Sequence, residues 1–141
     1  MANWLWFSKI HAKVFHLSGG RMGARLAGID MVFIDTIGRK TGQIRTIPIA
    51  CYPYQNNVVV SASNNGLDTD PVWWLNLQAN PEVEIQLGTK RFKARAEALD
   101  QEERNAFWPQ VVILNPPQAH HQKKTSRVIP LVRLRKLAAL N

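Results

Sequence analysis

Residues 82–99 carry the pattern that most restricts the fold. In Glu82-Val83-Glu84-Ile85-Gln86-Leu87 apolar and polar side chains alternate without a break. After Gly88-Thr89 the alternation resumes from Arg91 to Leu99, with Phe92, Ala94, Ala96 and Ala98 on one side. A period of two sends successive side chains to opposite faces of a strand, so each run is a strand with one dry and one wet face. Two such runs joined across a glycine turn make an antiparallel hairpin. Another hairpin precedes them: Met31 to Thr36 reads as a buried strand and Arg45 to Tyr52 as its partner, with Pro48 confining the partner to an edge or a bulge. Pro53 to Asn57 turns the chain into a third strand, Val58 to Ser63, and Arg127 to about Leu134 reads as the last strand, followed by a basic tail.

Helical patterns separate these strands. Trp4, Phe7, Ile10, Val14 and Leu17 recur at intervals of three and four, which predicts a helix from Asn3 to about Leu17 that stops at Gly19-Gly20. Such a helix can dock on the body, cover a pocket or lie on a membrane surface. A Gly-rich basic connection, 21–28, follows it. Pro71 opens a short helix that runs from Val72 to about Ala79 and ends at Asn80-Pro81. Asp100, with Glu103 three residues on, caps a helix that runs to about Leu114, in which Pro109 predicts a kink or a break. Asn115 to Ser126 is polar and reads as a loop over a site. Antiparallel hairpins interrupted by two or three helices predict a mainly β (α+β) architecture: a closed or partly closed β-barrel with helices over its openings. Alternating βαβ units are absent, which argues against a Rossmann domain. The 141 residues read as one domain, with residues 1–28 as helix and linker and 29–141 as the barrel.

Composition narrows the partners. Eighteen Lys and Arg against ten Asp and Glu give a net charge of +8, which favours anions: a phosphorylated cofactor, nucleic acid or an acidic lipid surface. The single cysteine, Cys51, forms no internal disulfide and reads as a small strand residue. No stretch has the length of a membrane span, and the apolar start is a poor signal peptide, so the expected compartment is the cytoplasm. The motifs G-x-S-x-G, H-E-x-x-H and CxxC are absent, and the four histidines lack metal-ligand spacing, so no metal is expected. A chain without a nucleophile or an acid pair fits an enzyme whose cofactor carries the chemistry, or a binding protein.

The cofactor candidate site is the turn Gly38-Arg39-Lys40-Thr41-Gly42, with Arg45 just beyond. Glycines let the backbone approach a ligand closely, arginines offer planar forks to phosphate or carboxylate oxygens, and Lys40 adds a mobile charge. An ordinary hairpin turn with solvated charges has the same composition. The glycine-to-lysine spacing is not that of a P-loop, and a strand rather than a helix follows. Downstream, Ser61-Ala62-Ser63-Asn64-Asn65-Gly66 ends a strand in small residues that leave room for a flat ring, and the helix after Pro71 offers its N-terminus, Trp73 and Asn76 nearby. Trp73, Trp74 and Leu77 equally suit anchoring of that helix to the barrel.

Together, G-R-K-T-G-x-x-R-x-x-P, S-x-x-x-G, P-x-W-x-x-N-L-x-A-N-P-x-V and the T-x-R-x-I-P of Thr125 to Pro130 resemble the deazaflavin-dependent nitroreductase and quinone reductase family, in its order and spacing, over residues 31–134. The resemblance implies an FMN-binding-protein-like split β-barrel and an oxidoreductase that moves hydride from reduced coenzyme F-420 to an electron-poor quinone, enone or nitro compound. It implies that Arg39, Lys40, Thr41 and Arg45 hold the coenzyme's phosphate and acidic tail. It further implies that Ser61, Ala62, Ser63 and Asn64 line the deazaflavin rings, and that Pro71, Val72, Trp73 and Asn76 close the pocket. Where nitroimidazole-activating members carry tyrosines, this chain has Asn115, Gln118 and His121, so the resemblance carries over hydride delivery but not acceptor preference; His121 or His120 is the candidate proton donor, against a solvated histidine pair. A usual glycine is Asn65, which tolerates left-handed geometry, so the turn should persist. Alternatives of other classes are a split barrel that binds FMN, haem or a lipid, and a nucleic-acid or membrane-surface module built on the basic C-terminus; no nucleic-acid motif accompanies that charge. Peripheral membrane contact through Trp4, Trp6 and Phe7 is compatible with a lipid-soluble quinone, and the chain is expected as monomer or homodimer.

Overall fold

The computed structural model describes residues 25, 26 and 29–140. The helix expected at residues 3–17 lies outside the described residues. Seven strands are present: β1 (Arg25–Leu26), β2 (Ile29–Ile37), β3 (Ile44–Tyr54), β4 (Asn57–Ser61), β5 (Glu82–Leu87), β6 (Lys90–Ala98) and β7 (Leu131–Leu140). Among the described residues three α-helices accompany them, α1 (Val72–Ala79), α2 (Gln101–Leu114) and α3 (Pro117–Lys124), with a short 3-10 helix at Asn64–Gly66. The sheet order is β1-β2-β3-β4-β7-β6-β5, and a further pairing of β2 with β5 closes the last six strands into an antiparallel barrel.

Alternation sorts the side chains as the sequence requires. Val32, Ile34, Cys51, Val60, Ile85, Ala94, Val132 and Leu134 form one buried cluster, and Trp74 and Leu77 of α1 join it. The neighbouring positions Tyr52, Val59 and Leu131 face the other way and form a second cluster with Leu99 and with Val111 of α2. Phe107 and Trp108 pack against that second cluster, so α2 covers the outer face of β3, β4 and β7. Burial of each large apolar side chain here contributes roughly 1.5–3 kcal/mol.

The two tight turns at the end of the barrel away from residues 38–43 carry positive φ. Gly88 joins β5 to β6 at φ 60°, and Gln55 takes φ 55° between β3 and β4. Pro48 lies opposite Phe33 in the β2–β3 ladder. The β3–β4 ladder covers only Cys51 to Tyr54, so Ile44 to Ala50 pair on one side alone among the described residues. The proline therefore occupies a strand edge, as its missing N–H demands.

Four features differ from the sequence expectation. First, α2 runs unbroken through Pro109, because a proline loses one ladder bond and packing of Phe107, Trp108 and Val111 against the barrel compensates. Second, residues 117–124 are a helix, not a loop: Pro117 suits the first turn, no glycine or β-branched residue follows, and His121, Lys123 and Lys124 complement the carboxyl end. The missing apolar stripe had concealed it. Third, β7 spans Leu131–Leu140 rather than starting at Arg127, and the expected basic tail is part of the barrel. Arg91 to Ala98 of β6 supply its partners, Arg135 reaches Glu97 at 2.9 Å, and Lys136 lies 4.7 Å from the Phe92 ring centroid. Fourth, Ala98 is exposed although Ala94 and Ala96 are buried: it is the last residue of β6, paired with Val132 at the end of the ladder.

Candidate active site

Register places the strand ends. Ile37 pairs with Ile44, Ser61 with Leu131, Ala98 with Val132 and Asp35 with Glu84. The connections 38–43, 62–81 and 99–130 therefore all leave from one end of the barrel. The opposite end carries the tight turns at Gln55-Asn56 and Gly88-Thr89. Apart from Arg45 and Ser61, at strand ends, every predicted site residue comes from those three connections.

In the basic turn, Gly38 N donates to Gln43 O at 2.8 Å and Gly42 N to Gly38 O at 2.8 Å. Thr41 Oγ1 accepts from Gln43 N at 3.2 Å. A Cβ on Gly38 would lie 2.7 Å from that hydroxyl, and Gly42 adopts φ 72°. The turn is tied to α1: Asn76 Oδ1 accepts from Arg39 N at 3.1 Å and from Arg39 Nη1 at 3.0 Å. Thr36 Oγ1 donates to Arg45 O at 2.8 Å and holds the start of β3. Arg39, Lys40 and Arg45 are exposed, and among the described residues none has a carboxylate within 4.0 Å. Three cations on one fixed turn, without a carboxylate partner among the described residues, carry the charge and the donors that an anion would need.

The segment predicted to line the rings is mostly buried. Ser61 Oγ donates to Gln118 Oε1 at 2.7 Å, which joins β4 to α3 inside the protein. Ala62 is fully buried and Ser63 nearly so. Asn64 Nδ2 donates to Thr69 O at 2.9 Å. Asn64 and Asn65 both take positive φ, 48° and 56°, so the turn does persist at Asn65. Pro71 precedes α1 in an extended conformation, Val72 is exposed, and Trp73 is half-buried against the inner core cluster.

The residues from α3 separate. Gln118 and His121 approach the mouth, the latter through close packing of Gly66: a Cβ there would lie 2.6 Å from His121 O. Asn115 instead donates from Nδ2 to Tyr52 Oη at 2.9 Å on the outer face of β3. His120 is exposed and His121 half-buried. His121 Nδ1 is buried without a hydrogen-bond partner among the described residues, and desolvation, then Lys124 and His120, push its pKa below the ordinary value.

Two residues outside the predicted set bind this end together. Arg127 contacts the 62–70 segment, and its only sequence signal was its place in T-x-R-x-I-P. Arg104 is buried, stacks 4.3 Å from the Trp108 centroid, and donates to Ile129 O at 3.0 Å and Gln122 Oε1 at 2.8 Å. Burial without a carboxylate lowers its pKa. A helix-borne arginine gave no sequence signal of burial. A cavity of about 270 Å³ lined by Asp35, Ile37, Ile44, Glu82, Glu84 and Lys93 lies beside the mouth, and one of about 250 Å³ lies around Met31, Cys51 and Leu87; no predicted ligand residue lines either. No group of three metal-ligating side chains occurs among the described residues.

A closed antiparallel barrel with a cationic turn and a helix-covered mouth defines a cofactor-binding split barrel. The chain belongs to the F-420H(2)-dependent quinone reductase family, whose sequence profile matches residues 6–136. It is 33% identical over 129 residues to an F-420H(2)-dependent quinone reductase of Mycobacterium tuberculosis strain H37Rv, covering 88% of this chain and 86% of that one. Among solved structures it is similar to an F-420-H2-dependent reductase, FDR-A, with TM-score 0.68 and 34% identity over 74% of this chain and 93% of the other. A second solved chain, described as a domain-swapped dimer, gives TM-score 0.71 and 29% identity over 95% and 98%.

Proposed function

We propose that the protein transfers hydride from reduced F-420 to a quinone. The observation that carries this reading is the cationic turn, unpaired with any carboxylate of the described residues and held against α1 by Asn76, in a chain of this family. Its donor set fits a long polyanionic coenzyme: forks at Arg39 and Arg45, a point charge at Lys40, and a Thr41 hydroxyl whose hydrogen remains available. In this reading those four residues grip the coenzyme's phosphate and acidic tail. Ser61 to Asn64 form the wall behind the rings, and Pro71, Val72, Trp73 and Asn76 close the pocket. When bound, the deazaflavin supplies the hydride.

The chain's own contribution is to bind, orient and exclude water. Gln118 and His121 face the acceptor side, with Gln118 held by Ser61. Reduction of a quinone to its hydroquinone takes one hydride and one proton, and His121, or the exposed His120, is the candidate proton source. Among the described residues no helix is long and apolar enough to cross a membrane. Peripheral membrane contact belongs to residues 3–17 and would bring a lipid-soluble quinone close.

The test mixes purified protein with reduced F-420 and menadione and follows the return of the oxidised coenzyme's visible band. Absence of turnover together with absence of coenzyme binding would sink the reading.

A further inference from the structure

Arg127 spends its whole guanidinium on one segment. Nε donates to Leu67 O at 2.9 Å, Nη1 to Ala62 O at 3.2 Å and Asp70 Oδ1 at 3.2 Å, and Nη2 to Ala62 O at 3.2 Å and Ser63 O at 2.8 Å. Its backbone is tied elsewhere: its N–H donates to Thr125 Oγ1 at 3.2 Å, and its C=O accepts from Gln122 Nε2 of α3 at 2.8 Å. Thr125 adds a parallel strut by donating to Asp68 at 2.8 Å. One residue thus joins α3 to the connection between β4 and α1.

Peptide carbonyls of residues 62, 63 and 67 converge on this cation. Ala62 and Ser63 are buried, so their carbonyls need a donor and would otherwise carry the desolvation cost of an unsatisfied group; the Leu67 carbonyl lies nearer the surface. A guanidinium meets the need because its donors fan out in one plane; an ammonium is a compact point and cannot span the same set. The segment so held leads directly into Pro71 and α1, and α1 holds Arg39 through Asn76.

We infer that Arg127 is a positioning residue that fixes segment 62–70 in the shape that receives the coenzyme rings and couples that segment to α3. The inference rests on the F-420 reading of this site. It acts through backbone geometry rather than by touching the acceptor.

The experiment uses the full chain with Arg127→Lys and Arg127→Ala. Wild-type protein is first titrated with F-420 by quenching of coenzyme fluorescence and assayed with menadione; failure at this stage overturns the F-420 reading and not the role of Arg127. With an active wild type, Arg127→Lys weakens F-420 binding by on the order of tenfold, while KM for menadione stays within about twofold. Amide exchange at Gly66 and Leu67 accelerates, and that of β2 and β5 does not change. Methylguanidinium at millimolar concentration restores F-420 affinity to Arg127→Ala and leaves wild type unaffected. Unchanged affinity in folded Arg127→Lys, or weaker affinity without faster exchange at Gly66 and Leu67, overturns the inference. Should both variants fail to fold, wild-type exchange decides: unprotected amides at Gly66 and Leu67 overturn it, and protected ones that slow further on F-420 addition uphold it.

Discussion

Asn76 Oδ1 accepts both the backbone N–H and the Nη1–H of a single residue, Arg39, at 3.1 and 3.0 Å. One buried amide on α1 therefore sets the backbone of the cationic turn and the direction of its first guanidinium. Substitution Asn76→Leu removes both bonds and leaves Arg39 free to rotate. Affinity for F-420 should fall by roughly 5–30-fold, from about 1–2 kcal/mol of lost orientation, with the fold retained. Fluorescence titration and a melting curve on the same sample check this.

Arg39→Ala and Lys40→Ala each remove a charge that no carboxylate of the described residues neutralises. Each should weaken coenzyme binding by about 1.5–3 kcal/mol, the scale of a charge-assisted hydrogen bond. Salt should weaken wild-type binding and weaken the double variant's binding less, because screening acts on charges already removed. A titration at three salt concentrations reads the difference.

His121 titrates below its ordinary value because desolvation, Lys124 and His120 disfavour its cation. The unfolded chain takes up this proton near pH 6.5, and the folded chain only at lower pH, so the unfolded state binds more protons in between. Stability therefore declines as pH falls from about 6.5 towards the folded pKa, and His121→Gln abolishes that part of the decline. If the imidazolium is the proton source, turnover rises as pH falls over the same window. His120→Phe with His121→Phe removes the dependence. Melting temperature and initial rate against pH, on wild type and variants, test both.

Gly66 and Gly88 separate two costs of a side chain. Both have positive φ, 80° and 60°, but a Cβ on Gly66 meets the His121 backbone at 2.6 Å and one on Gly88 meets nothing within 4 Å. Gly88→Ala should cost about 1–2 kcal/mol, the left-handed backbone term alone. Gly66→Ala should cost more, by about 1–3 kcal/mol of overpacking, and should also reduce turnover because it displaces α3. Urea denaturation resolves the two.

Cys51 is buried, and desolvation by its surroundings, with a contribution from Asp30, pushes its thiol up to about 12. At pH 8 about one molecule in ten thousand carries the thiolate, which is the reactive form. The native protein should resist a thiol-specific chromogenic reagent for as long as it stays folded, and react once denatured. Prompt labelling of native protein would contradict this.

The strands and the closed barrel were legible because alternation and glycine turns are local signals: 82–87 is a strand with the bounds its pattern gave, and Asp100 does cap α2 by accepting from Glu103 N at 2.8 Å. The cationic turn was legible for the same reason. What escaped depends on distant partners. Helix α3 has no apolar stripe because Gln118 and Gln122 attach it through hydrogen bonds to Ser61, Arg104, Arg127 and Ile129. The basic C-terminus looked like a tail because its neighbours in β6 lie some forty positions away. The role of Arg127 is set by the carbonyls of residues 62, 63 and 67, and a sequence records no carbonyl directions.

Among the described residues, Ile44 to Ala50 of β3 pair on one side only, and that side is where another extended chain could add itself. Pro48 stands in the middle of that edge with no N–H to offer, and the exposed arginine at position 45 adds charge beside it. A ladder that tried to grow there would lose a rung at the proline and bury a cation. The same strand that begins at the cationic turn thus carries its own protection against edge-to-edge aggregation.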